Sequence, residues 1–210
     1  MTEKKCSLWT AIICGLLLIL PGCDSQPAAN ITLPELLSHP GCNSSCWQGI
    51  EPEITNREQL LQYLEENNIE YTTTPGTPVT NAEYFYWSIG NLPLSSDGEV
   101  ILVDVAIYVP TNRVADISIG RIDLCVSTVI RDYGLPRSVS LYDSSYVLAY
   151  PSQQLMFFAD VQLAKVYSFD IRSQQLIEED FVTRTYPPIP QDGSTIENLI
   201  SEDCVDQFSY

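Results

Sequence analysis

The chain has little positive charge and almost no histidine. Ten lysines and arginines face 27 aspartates and glutamates in 210 residues, for a net charge of −17. Beyond Lys5, Lys165 is the only lysine. So acidic an exterior repels phosphate backbones and anionic head groups, which argues against nucleic acid and against a peripheral lipid-binding face. His39 is the one histidine and precedes every predicted element. Ser-His-Asp or Cys-His catalysis would need it delivered from a flexible stretch. A Gly-rich phosphate loop, a Gly-x-Ser-x-Gly turn and an Asp-x-Asp-x-Asp-Gly calcium loop are all missing, so no cofactor is expected. Two carboxylates for glycoside cleavage need only proximity in space, a condition that so many acids leave open. Long apolar runs are also lacking. As a helix, Leu8 to Leu20 spans roughly 20 Å, against the ~30 Å of a bilayer interior.

That run is nevertheless informative, because Lys4 and Lys5 precede it and Pro21-Gly22-Cys23 follow it. A cationic start, a short apolar core and a small residue before the cut make a secretory signal, here residues 1–22. With Leu20 and Cys23 the segment resembles a bacterial lipoprotein signal. The resemblance implies that Cys23 is the lipidation site and becomes the mature N-terminus. The expected location is the extracytoplasmic face of a bacterial cell membrane, with the lipid anchor as the membrane contact. The alternative is an ordinary cleaved signal with Cys23 a free or paired thiol. Residues 23–45, rich in Pro, Ser, Asn and Ala, read as a tether with one apolar piece, Leu33 to Leu37.

Cys6 and Cys14 leave with the signal, so Cys42, Cys46, Cys125 and Cys204 remain in an oxidising compartment. Four cysteines allow three pairings. Cys42 and Cys46 are close enough to bridge each other, which would leave Cys125 with Cys204; Cys125 as a buried thiol is the alternative. A four-thiolate zinc site is disfavoured, since C-x₃-C has no second close pair.

Thr55-Asn56-Arg57-Glu58 has capping-box spacing, and Leu60, Leu61 and Leu64 then repeat at helical intervals up to Asn67-Asn68. A helix over 56–67 is expected. Thr72 to Thr80 reads as turns, Glu83 to Ile89 as a strand and Pro93 to Gly98 as a loop. Glu99 to Val109 is the clearest strand, with Ile101, Val103, Val105, Ile107 and Val109 on one face and Asp104 on the other. Val114 to Ile119 returns it as a hairpin. Phe85 and Trp87 point opposite to Tyr84 and Tyr86, so at least half of this aromatic run belongs to a core, and Trp47 is expected over the disulfide region. Asp123 can cap a helix over 124–133 that Gly134 and Pro136 end. Strands are expected at 138–142, 145–150, 155–158 and 161–171, with another beginning at Gln175 to Phe181. The turn at 108–114 matches that at 149–155 with an offset of 41, and the helices match with an offset of 69. The expected fold is therefore α+β, two tandem modules at 46–119 and 120–186, each a helix packed on an antiparallel β-meander. A tail at 187–210 carries a short helix near Ser194 to Ser201.

Cys46-Trp47-Gln48-Gly49-Ile50-Glu51-Pro52, the capped helix, and Val129-Ile130-Arg131-Asp132-Tyr133-Gly134-Leu135-Pro136 before a strand are similar to uncharacterised bacterial lipoproteins with two helix-plus-sheet modules. More distantly they resemble the small outer-membrane assembly lipoprotein family (SmpA/OmlA, BamE) and the beta-lactamase inhibitory protein family. The resemblance implies scaffolding and protein binding without a cofactor, and it assigns no catalytic residue. The leading expectation is a non-enzymatic binding lipoprotein whose partner is another envelope protein. An inhibitor or sensor of an enzyme comes second, and a carboxylate-dependent hydrolase third.

Overall fold

The computed structural model describes residues 33–76, 81–90, 100–182 and 204. Side-chain alternation sets the architecture. In β3 (Ile101–Tyr108) the odd-numbered residues Ile101, Val103, Val105 and Ile107 are buried, whereas Leu102 and Tyr108 are exposed. The same alternation recurs in β2 (Ala82–Ile89), β4 (Arg113–Cys125) and β8 (Lys165–Arg172). With β1 (Tyr71–Pro75), β5 (Ser138–Tyr142), β6 (Ser145–Tyr150) and β7 (Leu155–Asp160), these strands form one eight-stranded antiparallel sheet. Its order is β1-β2-β3-β4-β8-β7-β6-β5, so two meanders meet where β4 pairs with β8.

Three helices cover the apolar face of the sheet: α1 (Leu33–Leu36), α2 (Arg57–Glu66) and α3 (Val126–Tyr133). Leu60 and Leu64 of α2 and Val126 and Val129 of α3 join one core with Phe85, Ile117 and Phe169. Phe157 lies within it, its ring centre 5.7 Å from Phe169, 5.7 Å from Tyr150 and 5.9 Å from Tyr133. The opposite face is covered over β6 and β7 by α4 (Gln174–Val182), where Ile177 packs on Val147, Ala149 and Met156. The structure is thus mixed helix and sheet, with the helices minor. None of the described helices is long and apolar enough to cross a membrane.

Two disulfides are formed, Cys42–Cys46 and Cys125–Cys204. The first lies in a loop organised around Glu51, a buried acid. Its carboxylate accepts from the Asn43 amide at 3.3 Å and from the Ser44 hydroxyl at 2.7 Å. The second ties residue 204 to the last residue of β4, across 79 positions of sequence.

Several sequence expectations need correction. The tether cannot extend to residue 45, because Leu33 and Leu37 are buried in the core and the Cys46 amide donates to the Leu37 carbonyl. Helix α2 is capped one residue later than expected. Asn56 and Gln59 form the reciprocal box, while the Thr55 hydroxyl accepts from the Glu51 amide. Asp123 does not cap α3: β4 runs on to Cys125, and Asp123 pairs with Lys165 at 2.7 Å. Thr72 to Thr80 is expected to be turns, but Tyr71–Pro75 is an edge strand exposed at every position. Where a strand is expected to begin, at Gln175 to Phe181, the chain forms α4 instead, and the Ser173 hydroxyl accepts from the Leu176 amide at its start. Trp47 packs in the main core, 6.4 Å from Phe169. The turn at 109–112 joins β3 to β4 but that at 151–153 joins β6 to β7, so the offset of 41 compared hairpins at different places in their meanders. Residues 1–22, Cys23, the loop at 93–98 and the tail helix at 194–201 lie outside the described residues.

Cross-linking shrinks the unfolded ensemble, and more so for a longer closed loop. Replacing Cys125 and Cys204 together by serine is expected to lower the unfolding free energy by about 4 kcal/mol, and replacing Cys42 and Cys46 by about 2 kcal/mol. Urea unfolding of the two double variants measures both losses; equal losses would contradict this ranking.

Candidate functional site

The outer face of β2, β3, β4 and β8 collects polar and aromatic side chains because the inner positions are committed to the core. In register, one row reads Tyr86, Asp104, Ser118, Asp170 and the next Tyr84, Ala106, Asp116, Arg172. A bulge makes the second row possible. Val114 pairs with Ile107 and points inward, yet Asp116 pairs with Ala106, so the extra residue Ala115 turns Asp116 outward. Bulges re-aim side chains in this way at the cost of one unpaired residue.

Arg172 organises the patch. Its Nη2 lies 2.6 Å and its Nε 2.9 Å from Asp116 Oδ2, and Nη2 is 3.3 Å from Asp170 Oδ2. Ser118 also hydrogen-bonds Asp170, which is only 5 % exposed. Two carboxyls therefore share one guanidinium, while Asp104 on the adjacent strand has no ion pair. Asp104 Oδ1 and Asp116 Oδ1 are both buried without a hydrogen-bond partner. Burial, reinforced by the charge of Asp116, pushes the Asp104 carboxyl up to about 6. Asp170 is raised too, by burial first and then by Asp116, against the opposing pull of Arg172. The Tyr86 hydroxyl is raised by burial and by the charge of Asp104.

Around the carboxyls stand Tyr86, Leu102 and Tyr108, each about 40 % exposed, and Tyr84 stacks on Tyr86 at 6.3 Å. Among the described residues, no helix packs on this half of the outer face. The arrangement offers aromatic rings and apolar carbon for contact, with carboxylates to accept hydrogen bonds from a donor. It is a face and not a cleft. The two described hollows, of ≈ 460 Å³ beside Thr73, Asn81 and Val109 and of ≈ 260 Å³ beside Gln48, Ile54 and Tyr63, do not include these carboxyls. No group of three or more possible metal ligands occurs among the described residues.

Of the residues singled out by sequence, Asp104, Tyr84 and Tyr86 come together here. His39 does not: it sits on an exposed turn, where its Nδ1 accepts from the Gly41 amide at 3.3 Å. Asp104 lies on the outer face as expected but is half-buried, with Tyr86 and Ser118 opposite it on the neighbouring strands and Asp116 diagonal to it. Asp116, Asp170 and Arg172 were missed, although each shares the parity of a serine on its own strand, Ser118 or Ser168. The β4–β8 register that unites them has no local signature. No family model, no curated protein and no solved structure matches this chain.

A carboxyl held above its unfolded value is more protonated in the folded state. Its ionisation therefore destabilises the fold, and stability falls as pH rises from about 4 through about 6. Asp104→Asn is expected to leave stability unchanged at pH 4. At pH 7 it is expected to raise stability by about 1 kcal/mol, after allowance for solvent screening of a half-buried group. Thermal unfolding at the two pH values tests this, and a loss at pH 7 would contradict it.

Proposed function

We propose that this protein is a lipid-anchored, extracytoplasmic binding protein that docks another envelope protein on the outer face of its sheet. Cys23 carries the anchor. The docking reading rests on one observation: Tyr86, Leu102 and Tyr108 are exposed on the same sheet face as the carboxyls of Asp104 and Asp116. A partner bearing lysine or arginine fits this face, because a cation can lie against a tyrosine ring while donating to a carboxylate. The activity is binding, without a cofactor.

The two halves share a plan, a helix followed by four antiparallel strands. Antiparallel pairing of their last strands, with α2 and α3 on one face, is what a two-fold axis normal to the sheet would produce. We read them as two helix-plus-meander modules fused at β4 and β8, in keeping with the resemblance to two-module lipoproteins.

Metabolic labelling with an alkynyl fatty acid tests the anchor: the wild type is expected to be labelled and Cys23→Ser unlabelled. For docking, a photo-cross-linker at position 102 is expected to give one defined adduct in intact cells, and Tyr86→Ala is expected to reduce its yield several-fold. A cross-linker at exposed Leu163, in the turn before β8 and at the opposite end of that strand from Arg172, serves as control. Equal adducts from both positions would refute docking on this face. Turnover of a glycan or peptide panel that Asp104→Asn abolishes would instead establish the hydrolase.

A further inference from the structure

The carboxyl patch has a property that docking alone does not need. Asp116 on β4 and Asp170 on β8 pair with Arg172, Asp104 on β3 lies diagonal to Asp116 in the register, and the formal charge of the four is −2 when every carboxyl is ionised. Tyr84 and Tyr86 face the patch from β2, Ser118 from β4, and Met156 of β7 stands beside Asp170. Across the sheet, α4 carries Glu178, which pairs with Arg137 at 3.5 Å. Among the described residues, no second cation is paired with these acids. Asp116 lies 2.6 Å from Arg172, whereas Asp170 shares the same guanidinium at 3.3 Å and Asp104 has no ion pair.

We propose that Asp104 and Asp170 form a proton-operated switch that sets the charge of the outer face, neutral in mild acid and negative at neutral pH. Each proton taken up converts a carboxylate into a carboxylic acid, removing one negative charge and adding one O–H donor. The new donor enters a patch in which Asp104 Oδ1 and Asp116 Oδ1 have none. With Asp104 and Asp170 both protonated, the formal charges of Asp116 and Arg172 cancel across their ion pair. Both switching carboxyls are held above the ordinary aspartate range by burial and by the charge of Asp116. A domain outside the cytoplasm meets external acidity directly, and loss of negative charge would release a cationic partner. That consequence rests on the docking reading; the proton switch itself does not.

Carbon-13 NMR of the full chain, solubilised in detergent and labelled in its aspartate carboxyls, tests the switch between pH 3 and pH 8. Asp104→Asn and Asp170→Asn assign the two resonances. Each is expected to titrate at least one unit above the ordinary value of about 3.9. The midpoint of Asp170 is expected to fall when Asp104 is replaced, since the proton-bearing groups sense one another. Should Asp170→Asn fail to fold, the Asp104 resonance in the wild type and in Asp116→Asn suffices, the latter with a lower midpoint. Titration of both carboxyls near the ordinary value would overturn the switch. In cells, the adduct from position 102 is expected to fall at least threefold from pH 7.5 to pH 5.5, and to fall less in Asp104→Asn, where only Asp170 of the two still titrates. Displaced titration without any adduct would leave the switch standing and remove docking, and an adduct indifferent to pH would remove the link between them.

Discussion

The pairing of β4 with β8 carries this structure. Without it there are two four-stranded meanders, each with one apolar face and a free edge. With it, Ile117, Ile119, Phe169 and Ile171 stand side by side at the middle of one sheet, all buried. Helices α2 and α3 can then share a single core instead of closing two small ones. Larger cores bury a larger fraction of their surface, which favours one shared interior over two marginal ones. The Cys125–Cys204 bond sits at the end of the same strand and anchors residue 204 to it.

The same seam makes the polar patch. Inner positions of β4 and β8 are apolar, so their outer positions, Asp116, Ser118, Asp170 and Arg172, are forced together across the junction. Burying carboxyls there opposes folding unless they are paired, and Arg172 pairs with Asp116 and Asp170 but leaves Asp104 without a cation. A sheet built only for stability would place threonine or valine at these points. Retaining underpaired acids beside exposed tyrosines fits a face used for recognition and responsive to protons, and this is the physical basis of the proposed function.

Much of the fold was legible because strands advertise themselves through a period of two. Residues 138–142 and 145–150 fall where expected, and the inward set of β3 follows the alternation of Ile101, Val103, Val105 and Ile107. Both disulfide pairs agree with the simplest pairing of Cys42, Cys46, Cys125 and Cys204. The failures have separate causes. Thr72 to Pro75 bury no face, so β1 has no alternation to display. In α4 only Ile177 is deeply buried among the first residues, too sparse a pattern to separate helix from strand. Thr55 and Asn56 both suit a cap, and the demand of the Glu51 amide on the Thr55 hydroxyl decides between them. The site was half legible. Asp104 stood out within its apolar strand, but its companions depend on a bulge at Ala115 and on a pairing between segments about fifty residues apart.

Native-state hydrogen exchange on the full chain tests the shared core most directly. If β4 and β8 weld the two meanders into one cooperative sheet, the amides of Ile117, Ile119, Phe169 and Ile171 will be among the slowest to exchange. Protected amides in β2, β3, β6 and β7 will then open with the same free energy, that of global unfolding. Early exchange at β4 and β8, with the flanking strands of each meander still protected at separate levels, would contradict it.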